Sequence, residues 1–355
     1  MIQKKDKSIL VFRFSALGDI AMTIPVLRSF FNTYPNQKII FVSRGFVEPL
    51  FKEFDNLEFI SVDFNNDFKG LKGLFKLFKT LRKNKIKAVA DLHNVLRTKI
   101  LKLFFKLTFI KVQSIDKGRA ERKKLTQKKN KKFKPLTPIH YRYCDVFGRL
   151  GFPIDLTNHE YPIKPFLPEN SEEQKILSKS AGKRIIGIAP FASFAGKSYP
   201  LDLMQNVIAY LQKDHLIYLF GGGENELKQI KVWENAYDNV IDIASPFNLT
   251  EQINIITYTD LMISMDSANG HIAANYGVPV LTIWGMTHPF CGFTPFDQGI
   301  ENSIMIDRNV YPEIPTSVFG NKIPKGYESA FRSIEPKEVI EKALEILKLT
   351  KPRHN

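Results

Sequence analysis

Short apolar runs alternate along the chain with longer stretches in which apolar positions recur every three or four residues. Residues 9–14, 38–43, 57–62, 88–92 and 109–114 read as buried strands, and 20–31, 71–81 and 95–107 as helices. In 71–81 the apolar members Leu71, Leu74, Phe75, Leu77, Phe78 and Leu81 share one broad face. The pattern breaks at 161–170, where Pro162, Pro165 and Pro168 make a stiff connection. It then restarts, with strands at 184–189, 216–220, 240–243, 261–264 and 279–284. The helices of this second series fall at 201–211, 224–236, 249–257 and 267–276, and an amphipathic helix at 336–347 ends it. Strands that alternate with helices predict parallel sheets covered on both faces. The expected fold is therefore α/β, with one βα domain at 1–165 and a second at 166–335. A C-terminal helix and tail follow at 336–355, and a cleft is expected between the two domains.

Charge divides the two series. The chain has 355 residues and a net charge of +15. Residues 1–165 hold 34 Lys and Arg against 14 Asp and Glu, whereas 166–355 hold 17 against 22. A basic first domain calls for an anionic partner: nucleic acid, a membrane surface or a phosphorylated substrate. Ten of its cations lie in 117–134 with Glu121 as the only acid, which predicts a mobile, solvated loop. Phe133 is the only aromatic there, whereas single-strand readers interleave aromatics with cations, so a nucleic-acid partner is disfavoured. Cys144 and Cys291 make neither a disulfide framework nor a metal-ligand spacing, which suits a reduced, cytoplasmic compartment. The apolar run after Met1 to Lys7 is too short for a signal peptide core, and no uncharged apolar run reaches the length of about 18 needed to span a bilayer.

Four strand-ending loops carry candidate chemistry, since ligands of open α/β sheets gather beyond the carboxyl ends of the strands. In Phe14-Ser15-Ala16-Leu17-Gly18-Asp19, Gly18 permits a tight turn and Asp19 is either a helix N-cap or a general base for a sugar hydroxyl. Residues 190–200 hold Ser193 and Lys197 among small residues and either wrap an anionic group or form an ordinary loop with a solvated lysine; the P-loop spacing is missing. Asp266, Ser267, Ala268, Asn269, Gly270 and His271 open a helix whose N-terminus suits a diphosphate; in the alternative, Asp266 or Ser267 caps it and His271 packs. Glu224 and Glu226 follow three glycines and either accept ribose hydroxyls or belong to a tight turn. The glycine fingerprint of a dinucleotide fold and a Tyr-xxx-Lys pair are both absent, which disfavours a nucleotide-dependent epimerase or oxidoreductase.

Taken in order, these segments resemble glycosyltransferase family 9, the ADP-heptose:lipopolysaccharide heptosyltransferases. The likeness rests on residues 12–19 with Thr23 and Pro25, on Asp91-Leu92-His93 with Arg97, and on the loop 190–200. It continues through 266–271, Gly277-Val278-Pro279-Val280 and Trp284-Gly285-Met286-Thr287-His288-Pro289. The resemblance implies a GT-B fold of two Rossmann-like domains, the first receiving the acceptor and the second holding the nucleotide-sugar, and an inverting, metal-independent transfer without cofactor, the nucleotide-sugar being substrate. Asp19 is then the base, and Lys197 with residues 267–271 stabilises the departing diphosphate, while Ser193 contacts phosphate and Glu224 or Glu226 the ribose. Arg13, Ser15, Gly18, His93 and Arg97 fall to a lipid-linked anionic oligosaccharide acceptor. Such an acceptor places the protein at the cytoplasmic face of the inner membrane as a peripheral protein. The run 99–111 is its candidate docking element, or else a core helix and strand with lysines outward.

Overall fold

The computed structural model describes residues 7–353, so the lysines at 4 and 5 lie outside it. From the N-terminus run β1 (Ser8–Phe12), α1 (Leu17–Ala21), α2 (Ile24–Thr33), β2 (Ile39–Ser43), β3 (Leu57–Ser61) and α3 (Gly70–Arg82). Next come β4 (Ile86–Asp91), α4 (Leu96–Lys106), β5 (Lys111–Ser114), α5 (Arg119–Thr126), α6 (Ile139–Leu150) and α7 (Glu172–Ser178). The second series is β6 (Ile185–Ala189), α8 (Leu201–Leu211), β7 (Leu216–Leu219), α9 (Glu224–Ala236), β8 (Val240–Asp242) and α10 (Leu249–Thr257). It closes with β9 (Leu261–Met265), α11 (Ala268–Asn275), β10 (Val280–Trp284), β11 (Ser303–Met305) and α12 (Pro336–Leu349).

The chain forms two compact units, Met1–Lys117 with Ile139–Glu160, and Gly118–Pro138 with Tyr161–Asn355. In the first, five parallel strands are ordered β3-β2-β1-β4-β5. In the second, six parallel strands are ordered β8-β7-β6-β9-β10-β11. Both are Rossmann orders that reverse direction at one point, between β1 and β4 and between β6 and β9. Full burial on both faces explains why β1, β2, β6, β9 and β10 read as unbroken apolar runs. In the first unit, Leu10, Phe12, Val89, Leu77 and Phe105 build the core between the sheet and α3 and α4. In the second, Ile186, Ile188, Ile263 and Ile283 of the sheet pack against Val207 and Ile208 of α8.

Three sequence expectations change. The helix expected over 20–31 is two, because Met22 ends α1 and α2 starts after Thr23 with Pro25 in its first turn. The C-terminal helix is not a separate piece. Val339, Ala343 and Leu347 of α12 join the second core, and Arg353 donates to the carbonyls of Gly277 and Tyr276 at 2.9 and 2.8 Å.

The largest correction concerns residues 117–134, which are no solvated loop. They form α5 and an extended strap that belong to the second unit. Leu125 is fully buried with Cys291 and Val318, and Phe133, Leu136, Phe290 and Phe293 pack around them. Lys131 Nζ donates to the carbonyls of Leu125, Glu313 and Pro315 at 2.8, 2.9 and 2.8 Å. Arg308, which donates through Nε to the Ile314 carbonyl at 2.7 Å, lies 3.4 Å above the Phe133 ring. With the strap reassigned, the first unit holds 24 Lys and Arg against 13 acids and the second 27 against 23. The second unit is thus mildly basic rather than acidic.

Candidate active site

At the reversal point of the first sheet, the loop after β1 faces the loop after β4. Arg13 is buried, and its guanidinium donates to the Leu92 carbonyl at 2.8 Å through one nitrogen and pairs with Asp19 Oδ2 at 2.5 Å through the other. The Tyr143 hydroxyl of α6 donates to the Asp19 carbonyl at 3.1 Å, and the Tyr143 ring lies 6.0 Å from the guanidinium. Burial opposes the charge of Arg13, but Tyr143, Asp19 and Asp91 outweigh it and raise its pKa. The Asp19 side chain is 27% exposed and that of Arg13 only 7%, so the pair presents its carboxylate.

Asp19 is not the N-cap. That position is Ala16, and Asp19 sits in the first turn, accepting weakly from the Ala16 N–H at 3.4 Å. Gly18 is helical, so the tight turn lies earlier, through Ser15, where the Ser15–Ala16 peptide is cis. Arg13, expected at the acceptor, has its guanidinium engaged by the Leu92 carbonyl and the Asp19 carboxylate.

The loop after β4 is held by Asp91, whose Oδ1 accepts from the N–H groups of His93 and Asn94 at 3.0 and 2.7 Å. Its other oxygen pairs with Lys102 Nζ at 2.9 Å, while Lys102 also donates to Ser114 Oγ at 2.6 Å. His93 Nδ1 accepts from the Phe14 N–H at 3.3 Å. Burial first, then the charges of Arg13 and Lys117, push the His93 pKa down to about 3, so the imidazole is neutral near pH 7. Arg97 is exposed, with its guanidinium 5.0 Å from the Phe64 ring centre. The first unit thus brings Arg13, Ser15, Gly18, Asp19, His93 and Arg97 to one end of its sheet.

The second sheet repeats the arrangement with inverted polarity. Lys197, in the short turn Ala195–Lys197 after β6, pairs through Nζ with Asp266 Oδ2 at 2.7 Å and donates to the Asp266 carbonyl at 3.3 Å. Here the carboxylate is the hidden partner: Asp266 is 4% exposed and Lys197 15%. The lysine stem is confined by Gly320, where a Cβ would collide with Lys197 Cγ and φ is +71°. The Met286 N–H donates to the Gly196 carbonyl at 2.7 Å, and the Thr316 N–H to the Met286 carbonyl at 3.0 Å. The Lys197 loop is therefore sewn to the end of β10 and to the segment that the strap holds through Lys131.

Asp266 leads into α11, whose N-cap is Ser267. Ser267 Oγ lies 3.2 Å from Ser264 Oγ and makes no cap hydrogen bond, so its side chain leaves the first N–H groups of α11 uncapped. Ala268 and Asn269 are partly exposed on this first turn, while Gly270 and His271 are buried beneath it. Gly270 packs on Ser264, where a Cβ would press on Oγ at 3.1 Å. Ser193 is exposed on the loop after β6. Glu224 and Glu226 lie one strand further out, after β7. Glu226 Oε2 accepts from the N–H groups of Gly222 and Gly223 at 2.8 and 3.3 Å, a capping role, and Glu224 pairs with Lys228 at 2.7 Å. The structure does not bring these two carboxylates to the Lys197–Asp266 cluster. Among the described residues, no three His, Cys, Asp or Glu side chains gather as a metal-ligand set.

Tyr143, Lys102, Lys131 and Gly320 support these clusters and escaped the sequence reading. Only Gly320 carried a local sign, as a glycine at a turn; the other three act on residues far away in the chain.

Two Rossmann-like units, each with polar loops at its reversal point, are the units of a GT-B type fold. The chain belongs to glycosyltransferase family 9 (heptosyltransferase), whose model matches residues 74–323. It is 24% identical over 319 residues to the lipopolysaccharide core heptosyltransferase OpsX of Haemophilus influenzae, covering 88% of this chain and 87% of that one. Its fold matches a glycosyl transferase family 9 structure from Veillonella parvula with a TM-score of 0.72 at 20% identity, covering 97% and 98% of the two chains. It also matches the ADP-heptose lps heptosyltransferase II of E. coli with a TM-score of 0.66 at 18% identity, covering 96% and 99%.

Proposed function

We propose that the protein transfers heptose from ADP-heptose to a lipopolysaccharide or lipooligosaccharide core acceptor, with inversion at the anomeric carbon and without a metal ion or cofactor. In this reading the acceptor hydroxyl oxygen attacks the anomeric carbon as the bond to the diphosphate oxygen breaks. Asp19 takes the hydroxyl proton, and the electron pair of the broken bond leaves on ADP. One displacement inverts the centre, so no enzyme nucleophile is needed.

The charge that grows on the diphosphate is met by Lys197 and the first N–H groups of α11, which act where a metal would otherwise serve. Ser193, Asn269 and Ala268 lie on the same loops and are assigned to phosphate. Asp266 orients Lys197, and Gly270 and His271 support the turn. Glu224, whose surface pair with Lys228 leaves its carboxylate exposed, is the ribose partner, whereas Glu226 is engaged with its own backbone. Ser15, Gly18, His93 and Arg97 receive the anionic acceptor, with His93 as a neutral hydrogen-bonding group.

The observation that carries this reading is the opposite polarity of the two ion pairs. One presents a carboxylate suited to taking a proton, and the other presents an ammonium suited to a leaving diphosphate. The activities of the relatives supply the sugar and the acceptor class. The test is transfer from ADP-heptose to a heptose-free core acceptor in the presence of a chelator, with the new linkage assigned by NMR. Transfer with inverted configuration is expected. Retained configuration, or loss of transfer on chelation, contradicts the mechanism.

A further inference from the structure

The positive charge of the first unit is concentrated in one stretch. Residues 68–115 hold 13 Lys and Arg and a single acid, Asp91, which is fully buried against Lys102. The two helices of this stretch pack side by side. Phe75 and Phe78 of α3 meet Phe104 of α4 at centroid distances of 5.5 and 5.4 Å, and Phe78 meets Phe105 at 5.0 Å. Leu74, Leu77, Leu101 and Phe105 face the core, as amphipathic helices should.

The outward faces carry apolar side chains as well. Leu71 and Phe75, one turn apart on α3, are 63% and 43% exposed, and Leu103 and Leu107, one turn apart at α4, are 56% and 70% exposed. Beyond them Phe109 is fully exposed and has a φ of +59°, the left-handed region that Gly and Asn occupy with least strain. A phenylalanine there gains nothing from packing and carries a backbone cost. Around this apolar ridge stand exposed Lys72, Lys76, Lys79, Lys99, Lys106 and Lys111.

We propose that the α3–α4 face, tipped by Phe109, is the surface by which this protein docks on an anionic lipid bilayer. The inference deepens the proposed function, resting on its lipid-linked acceptor for the biological setting and on these residues for the surface. A protein partner is the poorer fit, because protein interfaces are depleted of lysine at their cores. An apolar wedge ringed by lysines is the composition that enters a headgroup layer and pairs with its phosphates.

The experiment is flotation of the full chain with vesicles of phosphatidylcholine alone or mixed with phosphatidylglycerol. Association with the anionic vesicles alone is expected, weakened but not abolished by salt. Phe109→Asn combined with Leu107→Ser should lower the partition about tenfold or more. Lys76→Glu with Lys106→Glu should remove the preference for phosphatidylglycerol. Phe109→Asn alone should melt no lower than wild type, because Asn accepts the left-handed backbone, so lost docking then marks lost surface rather than lost fold. The ADP-induced thermal shift should be the same in every variant. Equal binding to both vesicle types, no binding to either, or wild-type flotation of the Phe109/Leu107 variant overturns the proposal. So does release of the protein from vesicles by RNA at equal charge concentration, which assigns the face to nucleic acid. Flotation without heptose transfer would refute the proposed function and leave the surface standing, and transfer without flotation would do the reverse.

Discussion

The two units hold the same kind of device turned opposite ways. In each, a buried or half-buried ion pair sits where a Rossmann sheet reverses its strand order. In the first, Arg13 is hidden and Asp19 shows; in the second, Asp266 is hidden and Lys197 shows. A buried partner fixes the geometry of a half-buried one, and the sign of the more accessible group decides the chemistry it can perform. The supports differ too. Asp19 is steadied by one hydroxyl from α6, whereas Lys197 is confined by backbone at Gly196 and Gly320 and, at one remove, by the strap. The lesson is that an ion pair becomes a base or an anion site according to which partner the fold leaves accessible.

Breaking the first device should have the largest effect. Asp19→Asn keeps the shape of the side chain but cannot take a proton, and turnover should fall by about 10²–10⁴, read from initial rates of heptose transfer. Lys197→Ala should come next, lowering turnover by about 10²–10³. It should also lower stability by about 3–5 kcal/mol, because Asp266 is left buried without its cation. Pairing Lys197→Met with Asp266→Asn separates the two effects: denaturant melts should recover and turnover should not. A smaller loss, about 1–3 kcal/mol, is expected from Lys131→Ala, which strips three carbonyls of their donor. That loss should appear in thermal melts without a change in the Asp19-dependent step.

The last effect is a dependence on acid. Burial, Arg13 and Lys117 hold the His93 pKa near 3 against an ordinary 6.5, and burial, Arg308 and Lys131 hold that of His288 near 4. Between those values and 6.5 the unfolded chain binds more protons than the folded one. Stability is therefore fully present above about pH 6.5 and declines as pH falls toward 3–4. Melts of His93→Gln across this range should be less steep than wild type, and an unchanged slope would remove His93 from the account.

Much of this was legible because parallel strands buried on both faces must be continuously apolar, and the site loops follow directly from them. The loops after β1, β6, β7 and β9 were found by that logic, whereas the loop after β4 was reached only through the family motif Asp91-Leu92-His93. What escaped depends on distant partners. Nothing near Tyr143 indicates that its hydroxyl meets Asp19, 124 residues away. The strap reads as a charged loop because its one core residue, Leu125, and its anchoring Lys131 find their partners around residues 291–318. Helix α6 carries a helical apolar spacing through Ile139, Tyr143, Val146, Phe147 and Leu150, yet it lies beside the basic run that dominates that region. Glu226 misleads in a different way, since a carboxylate after a glycine turn serves a backbone cap as readily as a ribose.

The division of labour between the two ion pairs is tested most directly by calorimetric titration of ADP into Asp19→Asn and Lys197→Ala. The account predicts wild-type affinity for the first and affinity weakened about tenfold or more for the second, about 1.4 kcal/mol. Equal affinities in the two variants, or a loss confined to Asp19→Asn, would contradict it.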